Sequence, residues 1–336
     1  MQQVIYSQEE SRYAVPKSIY EVGLGMCIPT LMNYGTDAQR ERFVRPALRG
    51  EEIWCQLFSE PSAGSDLANV RMRGERDGDD WVLNGQKIWT SGAHHAQFGL
   101  ILVRTDFSAR KHAGLTMFFL DMASPGIEIR PIRQISGGSH FSEVFFTDVR
   151  VPDGQRLGGL GEGWKVALTT LMNERLAIGG LPGPDFDEIF ALVRQTELDG
   201  EPALQDSEVR THLADWYIQS RGLDYTRYRT MTALSRGQTP GPEASIGKVL
   251  TAKRLLDVAA FGVDLMGLAG AVLDRQSMPM GGMFGESLLH APSGRIAGGT
   301  DEILRNIIAE RVLNMPADIR LDRDKPFSEL RASGKA

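Results

Sequence analysis

The sequence predicts an α+β multidomain fold in which a block of short strands separates two helical segments. Apolar positions follow a helical period over residues 1–52, alternate with a period of two from Ile53 to Pro152, and return to a helical period after Gly161. We therefore expect four regions. They are an N-terminal helical domain at 1–52, a β domain at 53–153, a C-terminal helical bundle at 154–317 and a polar tail at 318–336.

The N-terminal segment predicts helices over residues 8–33 and 37–44, the second ending before Pro46 because proline breaks a helix interior. In the middle segment, glycine-containing turns separate short strands. The strands are expected at 81–89, 99–103, 115–120, 127–130 and 144–147. Several short strands without intervening helices favour a closed or sandwiched β domain.

The C-terminal segment predicts a bundle of helices with glycine or proline between them. The first helix starts near Gly161, and the others are expected at 186–196, 207–236, 243–267 and 301–314. Thr300 is a suitable N-cap for the last helix, and Asp301 and Glu302 in its first turn suit the helix dipole.

Composition restricts the classes of protein. The 336 residues are 42% hydrophobic and 24% charged, with a net charge of −6, which is typical of a globular protein and argues against a dedicated nucleic-acid binder. No apolar run is long enough for a membrane span. Cys27 and Cys55 lack metal-type spacing, so no metal site is expected. The N-terminus lacks the features of a signal or transit peptide, which favours a cytoplasmic location.

A small-residue loop follows the β-prone run 53–58 in the sequence QLFSEPSAGSD, from Gln56 to Asp66. Gly64 removes a side-chain obstacle, while Ser59 and Ser65 offer hydroxyl groups, so the loop could bring backbone N–H groups close to an anionic or polar ligand. On composition alone it could equally be an ordinary polar turn between strands.

Together with the segment NGQKIWTS, from Asn84 to Ser91, this loop closely resembles the acyl-CoA dehydrogenase family, and the resemblance runs over nearly the whole chain. It implies N-terminal helices, a middle β-barrel, a C-terminal helical bundle and bound FAD. The family's N-terminal domain is usually some dozens of residues longer, so the resemblance implies a shortened domain here.

The resemblance also assigns cofactor contacts. Trp89 would cover one face of the flavin ring with Ser91 just beyond it, although Trp89 could equally be a core aromatic residue. The other expected cofactor-binding residues are Gln56, Phe58, Ser59, Ser65, Asp264, Gly267, Thr300 and Glu302. Ser65 and Arg175 are the expected contacts of the acyl-CoA substrate.

Oxidation of an acyl thioester to its 2,3-enoyl form needs a base for the α-proton, donors for the enolate oxygen and a hydride-accepting cofactor. In most of the family the base is a glutamate just before a Gly-Thr pair, and that position is Gly298 here. Glycine has no carboxylate, so only the backbone N–H of Gly298 can take part, as a donor to the thioester oxygen. The isovaleryl and long-chain members carry the base on the first long helix of the bundle. The matching residue of this chain is Glu174.

The residues around Glu174 support this assignment. Ala167, Leu171 and Ile178 fall on the same helical stripe, and no cation stands three or four positions from Glu174. A carboxylate on an apolar stripe is a stronger base than one in water. The alternative is a structural salt bridge to an arginine of a neighbouring helix.

Two family features are only partly present. The segment 235–243 does not reproduce the family's Arg and Phe for the FAD adenosine, and Asp264–Gly270 reproduces the glycine-rich turn only in part. The resemblance implies a homotetramer built as a dimer of dimers, with an electron-transferring flavoprotein as acceptor. The alternatives are a non-catalytic or DNA-associated relative, a subunit of a mixed complex whose partner completes the FAD site, and a flavin monooxygenase of the same fold.

Overall fold

The computed structural model describes residues 19–177, 183–237, 241–272, 276–319 and 325–330, with residues 5, 9, 13 and 322. The chain forms two compact units. The first, called the sheet unit, comprises residues 15–177 and 318–336, and the second, called the helical unit, comprises residues 1–14 and 178–317. The helix that begins the expected C-terminal bundle therefore belongs to the same compact unit as the strands.

The sheet unit contains one eight-stranded sheet. Its strands are β1 Trp54–Leu57, β2 Arg73–Asp77, β3 Asp80–Ser91, β4 Phe98–Arg104, β5 Leu115–Asp121, β6 Ile127–Ile132, β7 Phe141–Pro152 and β8 Arg156–Leu157. The order is β6-β7-β3-β2-β4-β5-β8, and β1 pairs with β4 in parallel. Most other pairings are antiparallel, as short hairpin connections require.

The strands β4 and β5 are buried on both faces, which explains their continuous apolar sequences. One set of their side chains, including Ile101 and Phe118, packs with residues of β1, β3 and β7, so the sheet curls around a core of its own. The alternate set, including Leu102 and Phe119, packs with helical residues in a second core.

Three helices cover that second face: α1 Ile28–Tyr34, α2 Asp37–Leu48 and α3 Gly163–Ala177. Helix α1 is bonded to α3 through the buried hydroxyls of Thr30 and Thr170, 2.9 Å apart. Thr36 caps α2 in a reciprocal capping box with Gln39. The helix α2 continues through Pro46, contrary to the sequence expectation, because proline in the last turn removes only one hydrogen bond.

The helical unit has five helices among its described residues: α4 Phe186–Val193, α5 Ser207–Ser235, α6 Ala244–Leu265, α7 Met283–Gly294 and α8 Asp301–Arg311. A two-stranded ribbon, β9 Glu197–Leu198 with β10 Glu201–Pro202, connects α4 to α5. Aromatic and aliphatic residues of α4, α5, α6 and α7 form its core. None of the described helices is both long enough and apolar enough to cross a bilayer.

The α+β multidomain fold is confirmed, with differences in the elements. The strand β2, the two-residue strands β8, β9 and β10, and the helix α7 were not predicted. The part of the expected helix 8–33 that precedes residue 19 lies mostly outside the described residues, as does Ile178.

Residues 318–336, expected as a polar tail, belong to the sheet unit, and residues 325–330 contact the segment that follows β4. Phe327 is fully buried there, and its backbone N–H donates to the carbonyl of Ala109 at 2.9 Å.

Candidate active site

The loop that follows β1 is joined to the end of β3 by hydrogen bonds. The N–H of Ile88 donates to the carbonyl of Ser59 at 2.9 Å, and the ammonium of Lys87 donates to the carbonyl of Phe58 at 3.0 Å. The two segments that the sequence singled out therefore lie side by side. Their neighbouring backbones place Ser59 and Trp89 on adjacent parts of the sheet unit.

A buried ion pair lies beneath this junction. The Nζ atom of Lys87 is 2.9 Å from Oε1 of Glu60 and also donates to the carbonyl of Leu102 at 2.7 Å. The other bonds of Glu60 come from the N–H groups of Arg71 at 2.6 Å and Met72 at 3.0 Å. Burial lowers the pKa of Lys87, while Glu60 opposes that shift. The pair ties the loop to β3 and to the start of β2.

Sequence reasoning did not identify Glu60 and Lys87 as members of the site. A signal was present in the strand pattern, because Lys87 occupies an inward position between the buried residues of β3. A lysine at such a position needs an anionic or carbonyl partner. The sequence contains Glu60 in the nearby loop, but it does not show that their side chains meet.

Trp89 has an unusual backbone conformation. Its φ is +60°, in the left-handed region that large residues rarely adopt, and the pairing of β3 with β7 is irregular between Lys87 and Thr90. The irregularity turns the indole outward, so that 57% of Trp89 is exposed. Its ring and that of Phe141 are in a T-shaped arrangement, with a centroid distance of 6.1 Å. The alternative that Trp89 is a core aromatic residue is therefore wrong. Strain of this kind is concentrated at ligand sites.

The other predicted residues of the sheet unit differ in exposure. Gln56, Ser59 and Ser91 are half-buried, whereas Ser65 is exposed. Phe58 is 4% exposed and packs in the core with the helices. Because the side chain is enclosed by protein, the predicted cofactor contact of Phe58 stays a prediction that its backbone at the loop would have to meet.

Glu174 is half-buried on α3, and its position matches the predicted stripe. Ala167, two turns earlier, is fully buried, and Leu171 packs against the same core, so this face of the helix is directed at the sheet. The side chain of Arg175 lies outside the described residues. The structure thus places Glu174 at the edge of an apolar helix face.

In the helical unit, the loop before α8 contains two successive glycines with positive φ, Gly298 at +65° and Gly299 at +93°. Residues with a Cβ are strained in this conformation, so the glycine pair allows the turn. Lys248 of α6 donates to the carbonyl of Gly299 at 2.6 Å. An ion pair of Arg295 with Asp301 at 2.7 Å closes the loop. These contacts fix the direction of the loop backbone.

The remaining predicted residues lie at two helix ends of this unit. The hydroxyl of Thr300 accepts from the N–H of Ile303 at 3.2 Å, which confirms the predicted N-cap of α8. Glu302 is exposed in the first turn of that helix. Asp264 and Gly267 are exposed at and just beyond the end of α6. Their exposure leaves them accessible to a ligand or another chain.

Known proteins resemble the chain along most of its length. It matches the family models of the acyl-CoA dehydrogenase middle domain over residues 55–149 and the acyl-CoA dehydrogenase C-terminal domain over residues 161–313. It is 39% identical to acyl-CoA dehydrogenase FadE34 of Mycobacterium tuberculosis, over 94% of this chain and 42% of that protein. It is 36% identical to acyl-CoA dehydrogenase IpdE1 of Mycolicibacterium smegmatis, over 94% of this chain and 81% of that protein.

Solved structures show the same similarity. The Tcur3481-Tcur3483 steroid ACAD matches with a TM-score of 0.80 and 28% identity, over 89% of this chain and 77% of that chain. A glutaryl-CoA dehydrogenase from Mycobacterium smegmatis in complex with FADH2 shares the fold, with a TM-score of 0.76 and 22% identity, over 88% of this chain and 74% of that chain.

The fold and these matches define a flavin-dependent oxidoreductase. The chain belongs to the acyl-CoA dehydrogenase family, whose cofactor is FAD. The described residues of the sheet unit fit that cofactor, because Trp89 presents a flat apolar ring to solvent beside a loop in which a Cβ at Gly64 would meet open space. An exposed indole and an unobstructed backbone are suitable partners for a flavin ring and its polar groups.

Proposed function

We propose that this protein oxidises an acyl-CoA thioester to the 2,3-enoyl-CoA, with Glu174 as the base that takes the α-proton. The proposal is carried by two observations: Gly298 has no side chain at the family's usual base position, and Glu174 lies on a helix whose neighbouring Ala167 and Leu171 pack in an apolar core. Glu174 is half-buried on this helix, and partly buried carboxylates are common as general bases.

The residues of the chain divide the work of the reaction. Glu174 removes the α-proton, and the backbone N–H of Gly298 donates to the thioester oxygen, where negative charge develops. The hydrogen bond from Lys248 to the carbonyl of Gly299 keeps the backbone of this loop in one orientation. Trp89 would pack against a bound flavin ring and exclude water from it. The cofactor would supply the hydride acceptor that protein side chains lack.

We propose a bulky acyl group, branched or steroid-derived, as the substrate class. The base position resembles that of the isovaleryl members, and glycine at position 298 leaves space that a glutamate would fill. A solved steroid ACAD is among the similar structures, which supports the same class. Electrons would pass to an electron-transferring flavoprotein, and the adenosine of FAD would be held by a second chain, either a copy of this one or a related subunit.

The decisive variant is Glu174→Gln, which keeps the size and hydrogen-bonding capacity of the side chain but removes the proton acceptor. We expect unchanged acyl-CoA binding and a fall in the rate of flavin reduction on the order of 10²–10⁴, the usual contribution of a placed base. The measurement is anaerobic bleaching of the flavin spectrum with straight-chain, branched and steroid-derived acyl-CoA substrates.

The matched control is Glu75→Gln, at an exposed glutamate of β2. It should reduce flavin at the parental rate. Near-normal reduction in Glu174→Gln would refute the base, and a parental protein whose flavin no acyl-CoA bleaches would refute the dehydrogenase activity itself.

A further inference from the structure

The chain end is fixed to the sheet unit by one aromatic anchor. The ring of Phe327 lies against the guanidinium of Arg104, with Cζ 3.3 Å from the ring centroid, and beside Phe107 at a centroid distance of 5.8 Å. The backbone N–H of Ser328 donates to the carbonyl of Phe107 at 2.9 Å. A cation against an aromatic face away from water is an attractive contact. The segment 325–330 is therefore bound through specific contacts.

The same guanidinium holds the segment that follows the candidate loop. Arg104 is fully buried, and its N–H groups donate to the carbonyls of Val70 at 3.0 Å, Ala68 at 2.7 Å and Lys111 at 3.0 Å. Burial lowers the pKa of Arg104 to about 10. One buried cation thus connects the backbone of residues 68–70 to the ring of Phe327.

A second cation connects the chain end to the loop itself. The ammonium of Lys111 is 2.8 Å from Oδ2 of Asp66 and 2.7 Å from Oδ2 of Asp322. The Lys111 side chain is 11% exposed, so solvent screens this bridge only in part. Asp66 is the residue next to Ser65, the expected contact of both FAD and substrate. The chain end also accepts a bond from Arg71 at the carbonyl of Leu330, at 3.2 Å.

We propose that Asp322 and residues 325–330 form a C-terminal clasp that positions the candidate ligand-binding loop 59–66, with Lys111 and Phe327 as its positioning residues. The clasp acts at both ends of the segment 66–70, through Asp66 and through the carbonyls bound by Arg104. Its effect on catalysis rests on the proposed function, because it assumes that Ser59 and Ser65 contact the flavin or the thioester. Its effect on the loop does not depend on that assumption.

The test compares Lys111→Met, which removes the bridge, with Lys111→Arg, which keeps the cation. Hydrogen exchange reports the order of the loop at the amides of Glu60 and Ala63, which bond to each other's carbonyls, and at the amide of Asn69, which bonds to the carbonyl of Asp66. Lys111→Met should speed their exchange about fivefold, as expected for the loss of a partly screened ion pair, and should raise the KM for acyl-CoA more than it lowers kcat. Lys111→Arg should restore both.

Two further variants separate positioning from general stability. Phe327→Leu keeps an apolar side chain but removes the ring, and it should speed the release of FAD and the exchange of the same amides. Arg130→Met, at an exposed ion pair of β6, is the control and should change neither quantity. Exchange that is unaltered in both Lys111→Met and Phe327→Leu would overturn the clasp.

The two proposals fail in different ways. Faster exchange with unchanged FAD release and unchanged KM would overturn the positioning role, while flavin reduction by acyl-CoA in the parental protein would still support the proposed activity. Absence of flavin reduction in the parental protein would overturn the activity, and the exchange measurement would still decide whether the chain end orders the loop.

Discussion

A single backbone angle changes the environment of Trp89. The alternation of β3 would place a tryptophan within the sheet's packing, but the irregular pairing near Thr90 and a φ of +60° expose it instead. Left-handed backbone costs a large residue on the order of 1–3 kcal/mol, so a compensating role is expected. The exposed indole beside the loop is suited to cover a flavin ring.

We expect Trp89→Ala to release FAD faster than the parental protein, because the flavin would lose an aromatic contact of about 1 kcal/mol and its shield from water. The Trp89→Phe variant should release FAD at a rate between those of Trp89→Ala and the parental protein. Flavin fluorescence after dilution measures the release. The control is Ile135→Ala, at a residue of the same unit that is 83% exposed. If Trp89→Ala releases FAD no faster than this control, Trp89 does not cover the flavin.

The sequence could predict some individual residues and not others. Thr300 as an N-cap and the stripe of Glu174 depend on local periodicity, which the chain carries in itself. The buried state of Phe58 and the outward turn of Trp89 depend on strand pairing with distant residues. Local pattern has no access to such pairings, so it left the environment of Trp89 open and did not predict the burial of Phe58.

At the scale of elements, the buried Glu60–Lys87 pair holds the loop, β3 and the start of β2 in one arrangement. We expect Lys87→Met to lower the free energy of unfolding by about 3 kcal/mol, because it leaves the carboxylate of Glu60 buried without its cation. Adding Glu60→Gln should recover part of that loss. Urea unfolding measures the free energy of unfolding of the single and the double variant.

The matched control for this pair is an exposed one, Arg150 with Asp80 at 3.2 Å. Arg150→Met should cost less than about 1 kcal/mol, because solvent already screens the interaction. Equal effects of Lys87→Met and Arg150→Met on stability would show that the buried pair does not hold the loop.

Elements with a strong period were predicted well, and two of the missed elements, β2 and α7, show why others were not. The strands β4 and β5 are continuous apolar runs, whereas β2 is charged and buries only Gly74. Its place in the sheet comes from its partners β3 and β4. The helix α7 follows a glycine- and methionine-rich stretch and contains Pro292, so its local signals indicate a loop.

For the whole molecule, the resemblance predicted the fold class and the family, but not the attachment of the chain end. The composition of residues 318–336 is polar, and a single Phe327 does not predict a strand or a helix. Its burial depends on Arg104 and Phe107, more than two hundred positions away in sequence. Such contacts become visible only when the sheet has formed.

The surface at the end of α6 predicts association with another chain. Leu268 is 94% exposed and Val272 44%, beside the exposed residues Asp264 and Gly267, which the family resemblance assigns to the FAD adenosine. Apolar side chains left exposed beside polar ones can mark an interaction site. We therefore expect an oligomer, either a dimer of dimers or a mixed complex with a related subunit, in which this surface meets the neighbouring chain's cofactor.

Leu268→Glu should weaken that assembly and the affinity for FAD together, because a buried carboxylate without a partner opposes the interface and the adenosine site lies within it. Sedimentation velocity reports the assembly, and flavin titration reports the affinity. Ile135→Glu places the same charge at a residue that is 83% exposed on the sheet unit, and it should change neither. A parental protein that sediments as a monomer and still holds FAD would contradict the prediction, as would a Leu268→Glu variant that assembles normally.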